Sequence, residues 1–178
     1  MRADAARNRA RVLQVAYEVF AEQGLAVPID EIARRAGVGA GTVYRHFPTK
    51  EALFEAVIGE RVRTVVERGR ELLAAEPSTA LFEFLREMVR VGAADHGMVE
   101  ALASYGIDLD SAAPGAEAEF LGVLGEMLAA AQQAGTARAD VGVAELKALL
   151  VVCKNGQAYG DEVADRITDV IVAGLRGG

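Results

Sequence analysis

A chain of 178 residues that is 52% hydrophobic, lacks tryptophan and has only four prolines can bury a sizeable core, and its abundance of Ala, Val and Leu favours helices over strands. One cysteine excludes an internal disulfide, and with only two histidines beside it no zinc site is expected; the longest clearly apolar run, residues 148–153, is far below the ~20 residues of a membrane span. The net charge of -7 hides an asymmetry: residues 1–50 carry eight basic and five acidic side chains, a balance of +3, and the remaining 11 basic and 21 acidic residues leave 51–178 at -10.

Along the chain, Val12, Ala16, Val19 and Phe20 recur at helical spacing and predict a first helix over 9–23, ended by Gly24. After a link containing Pro28, residues 30–36 predict a short second helix, with Ile29, Ile32 and Ala33 inward and Asp30 and Glu31 near its positive end. Residues 37–39 form a tight glycine turn, and 40–47 a third short helix stopped by Pro48. Thr49 is placed to cap a fourth helix whose apolar stripe, Phe54, Ile58, Val62 and Val65, runs to about residue 75. Pro77 and Ser78 open a fifth helix, with Leu81, Leu85, Met88 and Val89 inward. A short apolar segment over 98–105 and an acidic loop containing Asp108 and Asp110 follow. Three more helices are predicted over 116–134, 143–155 and 161–175, giving an all-α fold with no convincing strand and no internal repeat. Cys153, among apolar neighbours, is expected to be a buried thiol.

Function concentrates in GVGAGTVYRHFPTKEALF, residues 37–54. Two short helices joined by a glycine turn make a helix-turn-helix, whose second helix enters the DNA major groove while the first braces it. Thr42 and Tyr44 can donate to phosphate oxygens, Arg45 can grip a phosphate or chelate a guanine, and His46 and Lys50 can hold the backbone at the helix end. Gly39 and Gly41, lacking side chains, let a phosphate come close to the helix amides. Val38 and Phe47 read as core residues. The glycines do not have dinucleotide-loop spacing and follow a helix rather than a strand.

Residues 9–58, and IDEIARRAGVGAGTVYRHFPTKEALF above all, resemble the DNA-binding domain of the TetR/AcrR family of transcriptional regulators. The resemblance rests on the I-A-x-x-A-G-V turn, the G-T-V-Y core, the H-F pair and the K-E-x-L-F opening of the fourth helix. It implies an all-helical homodimer with an N-terminal three-helix domain over 1–50, its motif at about 29–47, and a C-terminal domain over 51–178 that binds a small effector and pairs through its last two helices. It further implies a repressor of operator DNA, with Gly41, Thr42, Tyr44, His46 and Lys50 positioning phosphates and Arg45 and Thr42 candidates for base contact. Pro28 and Gly39 stand where the family commonly has threonine and serine, so two hydroxyl contacts are missing.

The C-terminal region offers effector-pocket candidates in Phe84, Met88, Met98, Tyr105, Phe120, Met127 and Tyr159, large or polar residues among small apolar ones. Val163, Ile167, Val170 and Ile171 form an apolar face on the last helix and are the candidate dimer contacts. His96 beside Gly97 and the lone cysteine make no catalytic constellation, and neither cofactor nor metal is expected. These features predict a soluble, cytoplasmic regulator that is not an enzyme. The alternative is a small-molecule-binding or catalytic helical protein whose head has lost DNA binding.

Overall fold

The computed structural model describes residues 2–90 and 113–177; Met98, Tyr105, His96, Asp108 and Asp110 lie outside them. Eight α-helices and one 3-10 turn are present among the described residues: α1 (Arg2–Gln23), α2 (Ile29–Ala36), α3 (Ala40–His46), α4 (Lys50–Ala75), α5 (Ala80–Arg90), α6 (Ala116–Gln133), α7 (Val143–Gly156), the 3-10 turn Gln157–Tyr159, and α8 (Asp161–Leu175). The helix starting at 116 and the one spanning 161–175 begin where the sequence predicts. Helix α1 begins seven residues before the predicted start at residue 9, and α5 starts two residues after Ser78 because 77–79 form a turn.

The chain divides into two compact units, residues 1–62 with 94–116 and residues 63–93 with 117–178. In the first, α1 contributes Val12, Leu13, Ala16, Val19 and Phe20 to a core completed by Ile32 and Ala33 of α2, Val43 of α3 and Leu53, Phe54 and Val57 of α4. The Phe20 and Phe54 rings meet edge to face at 5.6 Å and 72°, the arrangement their quadrupoles favour. Burying a side chain of this size is worth ~1.5–3 kcal/mol, so a few such residues suffice to hold helices too short to persist alone.

In the second unit, α5 is apolar on nearly every side: Leu81, Phe82, Phe84, Leu85, Met88 and Val89 are all buried, as a helix enclosed by others requires. Close approach of α4 is possible because position 69 is glycine. A Cβ there would lie 2.5 Å from Met127 Cε, 2.6 Å from Val123 Cγ1 and 3.4 Å from Phe84 Cε2. Charge links complete the packing: Arg68 of α4 holds Glu87 of α5 at 2.6 Å, Arg86 reaches Asp169 of α8 at 3.3 Å, and Lys147 pairs with Glu117.

The loop between α6 and α7 is tied down through its backbone groups. Gln132 Nε2 donates to the carbonyls of Arg138 and Val141, the Thr136 hydroxyl lies 2.6 Å from the Ser78 carbonyl, and Ala137 bridges antiparallel to Arg176. Arg176 also stacks 4.8 Å over the Phe82 ring.

Helix α8 packs differently from the stripe read in the sequence. The face turned into its own unit is Ala164, Thr168, Val172 and Leu175. Val163, Ile167 and Ile171 are half-buried, and Val170 is 72% exposed. Small residues on the buried face allow close contact with α7: Ile167 Cδ1 lies 3.0 Å from where a Cβ on Gly156 would stand, and Ile171 packs beside Val89, Cys153 and Ala164. The thiol of Cys153 is a core group; burial pushes its pKa up, opposed by the Thr168 hydroxyl beside it.

Candidate nucleic-acid interface

Helix α2 ends because Gly37 takes the left-handed conformation, φ 67° and ψ 32°, which costs a residue without a Cβ little. The turn is closed by the Val38 amide donating to the Ala33 carbonyl at 3.0 Å and the Gly37 amide donating to the Arg34 carbonyl at 3.2 Å. Gly39, extended at φ -69° and ψ 142°, then opens α3 and accepts from the Thr42 amide at 2.8 Å. Neither Gly39 nor Pro28, at the start of α2, supplies a side-chain cap. A Cβ added at Gly39 or Gly41 would meet no atom within 4 Å, so the beginning of α3 is open ground.

Only Val43 of α3 is buried, and Phe47 just beyond it is its second anchor. Thr42 is half-buried, and Gly41, Tyr44, Arg45 and His46 are exposed. A seven-residue helix held by one face therefore presents its polar residues outward as a set. Arg45 lies back along the helix, its Nε donating to the Gly41 carbonyl at 3.0 Å and its Nη2 to Thr42 Oγ1 at 3.4 Å, the reach expected of i,i+4 and i,i+3 neighbours. Gly41, Thr42 and Arg45 thus share one face of α3. Phe47 ends the helix, its amide donating to the Val43 carbonyl at 2.8 Å.

Thr49 caps α4, as its sequence position predicts: its Oγ1 accepts from the Ala52 amide at 3.1 Å. The next residue, Lys50, is half-buried, and burial pulls its pKa down while Glu51 opposes the shift.

On α2, Arg34 and Arg35 are engaged within the chain. Glu31 accepts from Arg34 at 2.7 Å and Arg35 at 3.1 Å, and Arg35 also reaches Glu22 of α1 at 3.2 Å. These hydrogen bonds, Arg34's first, lower the Glu31 pKa to about 2. Two α1 arginines that the sequence reading counted only as charge lie close to the motif: Arg9 sits 5.6 Å over the Phe47 ring, and Arg11 lies beside Gly37. Their only sequence signal is a basic first helix.

Of the effector candidates, Phe84, Phe120 and Met127 come together. The Phe84 and Phe120 rings are 6.1 Å apart, and Met127 and Phe84 both abut Gly69. Met88 is buried one turn after Phe84, whereas Tyr159 is 78% exposed on the 3-10 turn and is no part of that interior.

A family profile described as bacterial regulatory proteins, tetR family, matches residues 12–57, and one described as transcriptional regulator SbtR-like, C-terminal domain, matches residues 76–177. Among solved structures, a TetR transcription regulatory protein from Mycobacterium vanbaalenii is 64% identical, with a TM-score of 0.85 over 98% of each chain. The TetR transcriptional regulator SCO0520 from Streptomyces coelicolor is 33% identical, with a TM-score of 0.80, covering 95% of this chain and 98% of that one. The HTH-type transcriptional regulator SAB2452 of Staphylococcus aureus is 36% identical over 73 residues; the chain spans 40% of that regulator's length.

Proposed function

The chain belongs to the TetR family of transcriptional regulators, and on that premise we propose that it is a cytoplasmic homodimeric repressor that binds double-stranded operator DNA through α3 and is released by a small molecule. The observation that carries the reading is the state of α3: one buried residue, no side-chain cap, and Tyr44, Arg45 and His46 exposed beside a half-buried Thr42. Tyr44, His46 and Lys50 hold phosphates beside Gly41, whose bare Cα admits them, and Arg45 leaves Gly41 and Thr42 to reach a base edge. Residues 1–50 form the DNA-binding part and 51–178 the effector-binding and dimerisation part. Among the described residues no helix is long and apolar enough to cross a membrane.

Two copies pair through Val163, Ile167, Val170 and Ile171 and set their heads about 34–36 Å apart, one turn of the duplex, or a multiple of it. An apolar effector, neutral or cationic, lodges among Phe84, Met88, Phe120 and Met127 and shifts α4, whose residues 50–62 belong to the unit that carries α3. A changed spacing between heads opposes simultaneous docking in two grooves, and coupling of ~1–3 kcal/mol weakens DNA binding ~5- to 150-fold.

The test is binding-site selection from a random duplex library with the full chain, followed by fluorescence anisotropy over a salt series. Sequence-selective, salt-dependent binding is expected, and candidate effectors titrated by calorimetry should bind more weakly in the presence of the selected operator. Absence of any selective binding at low salt would favour the small-molecule-binding or catalytic alternative. An effector that binds equally with and without operator is not coupled to DNA by this route.

A further inference from the structure

Among the cations of the head, Arg34 and Arg35 are paired with Glu31 and Glu22, and Arg45 donates to Gly41 and Thr42 of its own helix. Arg9 and Arg11, both on α1 and outside the motif, make no ion pair with a carboxylate among the described residues. Their placement is specific. Arg11, exposed, has its Nη2 3.5 Å from the point a Cβ on Gly37 would occupy, at the turn that leads into α3. Arg9 lies with its guanidinium 5.6 Å over Phe47, the residue that closes α3. One arginine of α1 therefore stands at the turn between α2 and α3, and the other at the residue that closes α3.

From this juxtaposition we infer that Arg9 and Arg11 are phosphate-binding residues that bracket α3 and fix its depth and register on the duplex, a reading that rests on the DNA-binding function proposed above. A guanidinium offers five N–H donors in a fixed fork, and a phosphodiester is the acceptor that fork fits when no carboxylate occupies it. The cation–π contact with Phe47, 5.6 Å from Arg9 Cζ to the ring centroid, restrains the side chain without consuming an N–H donor, so part of the ordering cost is met before DNA arrives. The need for such contacts is also visible: Pro28 and Gly39, which open α2 and α3, bring no hydroxyl that could reach a phosphate.

The experiment uses the full chain and a duplex obtained by selection with the wild type, beside an unrelated duplex of the same length. Anisotropy over a salt series is measured for Arg9→Gln, Arg11→Gln, the charge-retaining Arg9→Lys and Arg11→Lys, and Arg34→Gln as a cation already neutralised. Each glutamine variant of α1 should lower the salt slope by about 0.9 and weaken binding to both duplexes by the same factor. The lysine variants should restore the slope, and Arg34→Gln should leave it near wild type. Arg11→Gln breaks no hydrogen bond or ion pair among the described residues, so it stays informative even if Arg9→Gln loses helical circular dichroism through loss of its stack. A wild-type slope in Arg11→Gln and in whichever Arg9 variant folds overturns the inference, as does a loss confined to the selected sequence. A wild type that binds no duplex at low salt overturns the regulatory reading and this inference with it.

Discussion

Helix α2 and helix α8 have similar work to do inside the chain and opposite surfaces outside it. The inner face of α2 is Ile29, Ile32, Ala33 and Ala36, and its outer face is Asp30, Glu31, Arg34 and Arg35. The inner face of α8 is Ala164, Thr168, Val172 and Leu175, yet Val170 remains 72% exposed outside, and α7 leaves Val151 and Val152 each 52% exposed. A polar outer face needs only water and an ionic partner, whereas exposed valines gain from meeting apolar surface. The proposed function assigns the head a charged partner and the body a second copy of the chain.

The largest expected effect tests that contrast at the body. Val170→Asp puts a charge where the proposed partner would cover a methyl pair, and should yield monomers by light scattering. Losing the second head should cost about 10²- to 10⁴-fold in operator affinity through lost effective concentration. A wild type that is already monomeric at micromolar concentration would break the comparison.

Core truncation asks whether the two units fail separately. Phe20→Ala removes a fully buried ring and its contact with Phe54, at a cost of ~3–5 kcal/mol. Hydrogen exchange should show the lost protection in α1 to α3, and urea unfolding should report the loss. The same change at Phe84, equally buried, should act on α5 and α6 instead. Identical exchange maps for the two variants would mean that the units unfold as one.

Smaller and more selective effects belong to α3. Arg45→Ala should relax preference at one base-pair position by ~1–3 kcal/mol, while Tyr44→Phe and Lys50→Ala weaken all sequences alike. Selection repeated with each variant separates the two outcomes, and an unchanged preference in Arg45→Ala would remove it from base reading.

The smallest effect is the acid response of the α2 surface. Glu31 has a folded pKa of about 2 against an ordinary 4.5, because Arg34 and Arg35 hydrogen-bond its charged form. The unfolded chain therefore binds the proton more readily. The contribution is present above pH 4.5 and lost as pH falls toward 2. Both partners are exposed, so screening keeps the effect slight. Thermal melts across that window should fall less steeply for Glu31→Gln than for the wild type.

Most of the helix boundaries and the helix-turn-helix were legible from local features. Gly24, Gly37 and Gly135 do end helices with positive φ, and Thr49 does cap α4. Pro48 follows α3 as the breaker it reads as, Phe47 and Cys153 are buried as read, and Val38, read as core, is half-buried against it. The surroundings of Tyr159 were not legible: it reads as a pocket candidate, a large residue among small ones, but it stands 78% exposed on the 3-10 turn. Nor did any spacing foretell that Gly69 is the point where α4 nears Met127 and Val123.

The sequence by itself determined what depends on residues within a few positions of one another: helical periodicity, left-handed glycine stops, the cap at Thr49 and the polar run of α3. Tertiary structure decided what depends on distance through space. Helix α8 has apolar or small residues on both sides, and periodicity cannot rank two such faces; contact with α5 and α7 selected Ala164, Thr168, Val172 and Leu175 as the inner one. Charge obeyed the same division, since an arginine's charge is compensated or left available according to which carboxylate its long side chain reaches. Glu31 and Glu22 took Arg34 and Arg35, and the packing of α1 brought Arg11 to the turn before α3 and Arg9 to Phe47, which closes α3.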